Sequence, residues 1–250
     1  MAELEGTLID YHDGSRVILE FNPKKHWYSI DGEYVPACTT ILDSIAKPAL
    51  VPWAANEGAK YYLSHVHEGM KPEDMAKGIR GAYRTSSGAA LNIGLEVHKW
   101  CEEAILWKLG RAEIPKMPER TESKNAINAF REWVKLNDVE WLTVEEKVYH
   151  RDHKYAGTLD ATAIVNEEYC VIDFKTSAAI YSSYYLQCAA YAKAIEDMRD
   201  KPVDKAYILR FDKKTGEFEA GSSIEIQENF MGFLGFLDGY RRLKDLENRK

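Results

Sequence analysis

Asp160, Asp173 and Lys175 are the residues of this chain whose types and spacing could do chemistry together. The two aspartates lie equally far in sequence from Asn166-Glu167. If that dipeptide turns a hairpin, they face each other across antiparallel strands with Cβ atoms about 5 Å apart, where like charges destabilise. A divalent cation such as Mg²⁺, taking carboxylate oxygens at about 2.1 Å, converts that cost into a binding site. Lys175 stands two residues beyond Asp173 and therefore shares its strand face. Two acids, a base and a cation can hold a water and stabilise developing charge, which is what phosphodiester hydrolysis needs.

The triplet alone is weak. Acid-x-Lys triplets also start at Glu122, Glu145, Asp152 and Asp212. Only the one at Asp173 ends an apolar β-rich run (Tyr169 to Ile172), follows a hairpin signal and has an acid facing it. A surface Asp–Lys pair would account for Asp173 and Lys175 but would leave Asp160 unexplained.

Other residues join this set with an alternative attached to each. His98 borders the apolar face made by Val97, Cys101 and Ile105, where a histidine is either a satisfied core residue or, beside a metal, a further ligand. Glu102, one turn on, is its orienting partner or a solvated acid. Glu146, in the strand before the hairpin, is a site acid or one of several exposed acids. Gln187 and Tyr191 share one helix side; they line the site or belong to a polar margin and the core.

The elements that must position these groups follow from periodicity and punctuation. Arg16 to Val35 reads as a β-meander turning at Asn22-Pro23-Lys24-Lys25 and Asp31-Gly32. Thr39 or Thr40 caps a helix through Ala46, Pro48 and Pro52 break it, and Trp53 to His67 resumes helical character. Lys71 to Gly88, with three glycines and an excess of bases, reads as a mobile loop. Helices are expected over about 89–109 and 122–136. Strands follow over 142–149, 158–165 and 169–174, then a helix over 184–195 and a strand over 205–211. A turn at 212–216 and an amphipathic helix over about 225–246 complete the chain. The central order is αβββαβ. Three segments, 1–87, 88–215 and 216–250, are expected to form one compact unit.

Four stretches, taken in order, resemble the successive motifs of RecB-like exonucleases in the PD-(D/E)XK superfamily. They are Gly94-Leu95-Glu96-Val97-His98, Gly157-Thr158-Leu159-Asp160, Val171-Ile172-Asp173-Phe174-Lys175-Thr176-Ser177 and Gln187-Cys188-Ala189-Ala190-Tyr191. The match runs over about 88–211. Val35 to Leu42 and Lys47 to Ala55 look, more loosely, like the leader of phage-encoded and mitochondrial genome-maintenance members. The resemblance implies an α/β restriction-endonuclease-like core, a central mixed sheet flanked by helices, with an N-terminal β-hairpin and helical elaboration and a C-terminal helix. It implies metal ligation by His98, Asp160 and Asp173, a catalytic Lys175, and a substrate-side role for Gln187 and Tyr191. The implied activity is a Mg²⁺- or Mn²⁺-dependent DNA exonuclease of phage or bacterial recombination, replication or repair, acting on single strands or free ends, with a recombination or replication protein as partner. A non-catalytic DNA-binding subunit, an endonuclease or an RNA exonuclease of the same fold stands as the alternative. No cysteine follows Cys188, so an iron–sulfur cluster is not expected.

Composition bounds this reading. The chain has 250 residues, 45% apolar and 29% charged, which excludes disordered and low-complexity classes. No apolar run approaches the roughly 20 residues of a membrane span, and the acidic start is unlike a signal peptide, so a cytoplasmic protein with no membrane partner is expected. Cys38, Cys101, Cys170 and Cys188 sit singly in apolar surroundings and read as reduced core residues. With 33 basic against 40 acidic residues the net charge is −7, the wrong sign for coating nucleic acid by bulk charge. A polyanion must then be met locally, by Arg80 and Arg84 in the basic stretch, by bases around Lys201 to Lys214, or by those from Arg241 to Lys250. Trp53, Tyr61 and Tyr62 are stacking surfaces for bases or core residues.

Overall fold

The computed structural model describes residues 4–25, 27–66 and 68–249. His67 and Lys250, used above as the ends of two stretches, lie outside the described residues. The chain divides into two units, Met1–Ser44 with Val97–Lys250, and Ile45–Glu96. Among the described residues no helix is long and apolar enough to cross a membrane.

The larger unit begins with four antiparallel strands, β1 (Glu5–Asp10), β2 (Arg16–Asn22), β3 (Trp27–Ile30) and β4 (Glu33–Val35). The turns fall where the sequence places them: Asn22 Oδ1 accepts the Lys24 and Lys25 N–H groups, and Asp31 and Gly32 both have positive φ, as a tight hairpin requires. The meander gains a strand, β1, because Ile9 is the one residue of that acidic segment buried against the sheet. The helix α1 (Cys38–Leu42) is shorter than expected. Its N-cap is Ala37, not a threonine, and Cys38, Ile41 and Leu42 bury its inner side.

The second sheet has five strands in sequence order, β5 (Val139–His150), β6 (Tyr155–Val165), β7 (Glu168–Lys175), β8 (Lys205–Phe211) and β9 (Phe218–Ser223). β5, β6 and β7 form the antiparallel meander, and β7 pairs with β8 in parallel after a crossover through α5 (Ser182–Arg199). The sheet is therefore mixed, and helices flank it. β9 escapes sequence reading because Phe-Glu-Ala-Gly-Ser-Ser has little strand character; it is held by pairing with β8.

Side-chain alternation gives the sheet two distinct faces. Phe174, Tyr207 and Phe211 turn to α4 (Thr121–Leu136), where Phe130 and Trp133 meet them edge-on. Their strand neighbours Ala206 and Ile208 turn to α5 and bury Cys188. α6 (Ile226–Glu247) adds Phe230 and Phe233 against Tyr155. All four cysteines are buried and unpaired.

The smaller unit corrects the expected mobile loop. Residues 72–88 belong instead to α3 (Pro72–Lys108), which runs without interruption through the segment read as a helix from 89. Pro72 is well placed as a first helical residue, and Glu73 and Asp74 complement the dipole of the first turn. One of the three glycines serves packing: a Cβ at Gly78 would lie 2.2 Å from the Tyr61 ring, which belongs to α2 (Leu50–His65), whereas one at Gly81 or Gly88 would meet open space. Pro52 likewise does not break α2, because it falls in the first turn, where no intrahelical N–H bond is lost.

Candidate functional site

The site is built on the β6–β7 hairpin. Asn166 and Glu167 both take positive φ, 51° and 72°, the two-residue turn whose twist suits a hairpin. The ladder runs from Val165–Glu168 to Ala161–Ile172, and the same frame sets Asp160 opposite Asp173. Beyond the last pair the Asp160 side chain takes over: its Oδ2 accepts the Phe174 backbone N–H at 2.6 Å. His98, from α3, brings Nδ1 to 3.3 Å from the other oxygen, Oδ1.

Asp173 is 2% exposed, and Lys175 Nζ stands 2.5 Å from its Oδ2. Among the described residues that ammonium is the one cation in contact with the buried carboxylate. Lys175 also lies 4.8 Å over the Tyr184 ring of α5.

The electrostatics show an excess of acid. Burial, and then the Asp160 charge, push the Asp173 carboxyl up to about 6 against the lowering pull of Lys175. For Asp160 burial is outweighed by His98, Lys175 and the Phe174 N–H, and its carboxyl is held below the usual range. His98 is raised, since Asp160 outweighs the burial that favours a neutral ring. Burial also disfavours the Lys175 charge, but Asp173 and Asp160 more than offset it, so the ammonium persists at neutral pH.

Glu146 requires a correction. Arg199 Nη2 holds both its carboxylate oxygens, at 2.6 and 2.7 Å, and another Arg199 nitrogen donates to the Tyr169 hydroxyl. The acid that joins the site is its neighbour Glu145, which sequence reasoning missed. A bulge between Trp141 and Thr143 shifts the β5–β6 register by one residue, so that Val144–Ala161 and Glu146–Leu159 pair and Glu145 falls level with Asp160. Glu145 has φ of 50° and is exposed to solvent, yet partial desolvation beside the site, then the Asp160 and Glu102 charges, raise its carboxyl above the usual range. Two adjacent glutamates in a strand must face opposite ways, but which one faced Asp160 depended on the bulge.

Gln187 donates to the Tyr191 hydroxyl at 3.0 Å, and Tyr191 itself is buried. Gly157 is required here: a Cβ on it would lie 2.4 Å from the Tyr191 ring. Arg80 and Arg84 are exposed on α3 in the smaller unit, with Arg84 Nε donating to the Tyr83 hydroxyl at 3.0 Å.

Among the described residues no three His, Cys, Asp or Glu side chains stand as a ready-made metal cage. The buried Asp173 carboxylate, raised in pKa despite its lysine, the facing Asp160 carboxylate and the adjacent imidazole nevertheless fit a hard divalent cation, which prefers oxygen ligands and accepts nitrogen. No protein-family model matches the chain, and no curated protein matches it.

Proposed function

We propose that the chain carries a PD-(D/E)XK nuclease core and is a Mg²⁺- or Mn²⁺-dependent DNA exonuclease. The observation that carries this reading is the convergence of His98, Asp160, Asp173 and Lys175 at the end of one hairpin, with more acid than the single lysine neutralises. The element order α4-β5-β6-β7-α5-β8 supports it, as does the order of the motifs along the chain.

Asp160, Asp173 and His98 would hold the cation. Once bound, it polarises a phosphate oxygen and makes a water more acidic. The Phe174 N–H fixes the Asp160 carboxylate in orientation, with one oxygen left toward His98. Lys175, permanently charged, serves as a donor toward negative charge developing on the phosphate and not as a proton acceptor. Arg80 and Arg84 are proposed contacts to phosphates along the strand, and Gln187 is a polar group on the helix that borders the site.

Incubation with end-labelled single- and double-stranded DNA, and with closed circular DNA, with and without Mg²⁺, tests this. Mononucleotides released from linear ends, none from circles, and no products from Asp173→Ala are the expected result. DNA binding without cleavage in either metal would overturn the enzyme in favour of a non-catalytic DNA-binding subunit, and cleavage of circles would reassign it as an endonuclease.

A further inference from the structure

A second site lies away from the hairpin end, in a pocket of about 430 Å³ between the C-terminal part of α3, the 109–120 connection, α4 and the start of β5. The volume is that of a small-molecule site. Trp100, Trp107, Trp141 and Phe130 line it, and no carboxylate is among its lining residues. Three cations border it, Lys108, Arg131 and Lys135. Lys108 Nζ stands 4.8 Å over the Trp107 ring and Lys135 is 3.6 Å from the exposed Glu132, whereas the exposed Arg131 makes no ion pair among the described residues. Trp100 keeps its indole N–H buried without an acceptor, so no internal hydrogen bond anchors that ring.

We infer that this pocket binds a small organic anion with a flat aromatic body. Indole and phenyl walls favour edge and face contacts with an aromatic ring, and an uncompensated guanidinium flanked by two lysines favours a carboxylate or sulfonate at the mouth. A nucleobase is disfavoured, because its several polar edge atoms would be desolvated among largely apolar walls. The same cost falls on a peptide backbone. This inference does not rest on the proposed nuclease activity.

Calorimetric titration of the intact protein with 2-naphthoate and with its neutral analogue 2-naphthamide, alongside tryptophan fluorescence, tests it. Saturable binding of 2-naphthoate, tighter than the amide by about fivefold, is expected, the factor an exposed ion pair can supply. Arg131→Gln, at an exposed position that folding tolerates, removes that preference and leaves the amide unchanged. Ala104→Trp fills the pocket and abolishes binding of both; if that variant does not unfold cooperatively, Val134→Trp takes its place. Absence of saturable 2-naphthoate binding, equal affinity for both compounds, or binding that survives the filled pocket would overturn the inference. So would saturation by an acidic Trp-containing peptide in a protein that ignores 2-naphthoate.

Discussion

Glu146–Arg199, which joins β5 to α5, and Asp173–Lys175, within β7, are two ion pairs withdrawn from solvent that differ in how completely the acid is answered. Both Glu146 oxygens rest on Arg199, whose remaining reach is used by Tyr169, so charge and hydrogen bonds are satisfied together. Asp173 has one lysine in contact but shares its charge with Asp160, and it is raised in pKa. A saturated pair has nothing left to bind and belongs to the architecture. An unsaturated one leaves acid uncompensated, which is what the proposed metal site draws on. The pairs differ in burial and in sequence separation, two residues against 53, but what sets their chemistry apart is whether the acid has its cation to itself.

The largest expected effect falls on the unsaturated pair. Asp173→Asn should lower DNA hydrolysis by at least about a thousandfold, the scale of losing a metal and its charge stabilisation. Its thermal midpoint should stay at or above wild type, because a buried, incompletely compensated charge is removed. A stable variant that retains cleavage would place the chemistry elsewhere. Lys175→Ala should also abolish turnover while the fold persists.

Glu146→Ala inverts the pattern. It strands the Arg199 guanidinium, which is 31% exposed, and should cost about 2–3 kcal/mol in chemical denaturation, less than for a fully buried pair. Cleavage per folded molecule should be unchanged. Loss of activity without loss of stability would break the division drawn between the pairs.

Smaller effects sharpen it. Glu145→Gln should raise the Mg²⁺ concentration giving half-maximal cleavage by several-fold, about the effect of one nearby partly screened charge, and Glu146→Gln should not. His98→Ala should weaken metal dependence more than Glu102→Ala, since His98 touches Asp160. Equal, small effects would return His98 to the core.

The smallest concerns a saturated acid just past the end of β8. The backbone N–H groups of Thr215 and Lys214, with Arg210, lower the Asp212 carboxyl to about 2. A folded pKa below the unfolded one means that its stabilisation is complete above about pH 4 and is lost as pH falls toward 2. Asp212→Asn should therefore cost about 1 kcal/mol at pH 7 and flatten the decline in stability between pH 4 and 2. An unchanged acid limb would show that these bonds do not hold the turn in solution.

Much of this was legible along the chain because it is local. The hairpin turn at Asn166-Glu167, the facing of Asp160 and Asp173 and the shared face of Lys175 follow from a period of two and one turn type. The αβββαβ order follows from the same changes of period. The glycines of 71–88 misled, since the chemistry that marks a loop also permits two helices to approach closely, and only Tyr61 against Gly78 decides between them. Glu145 was hidden because the register of β5 depends on a bulge that no local pattern announces. Glu146 was misassigned because its partner Arg199 stands 53 residues away on another element. The sequence by itself determined which acids and bases exist and which share a strand face, because backbone geometry repeats over a few residues. The tertiary structure decided which of them are answered, because compensation of a buried charge comes from whatever the fold sets beside it.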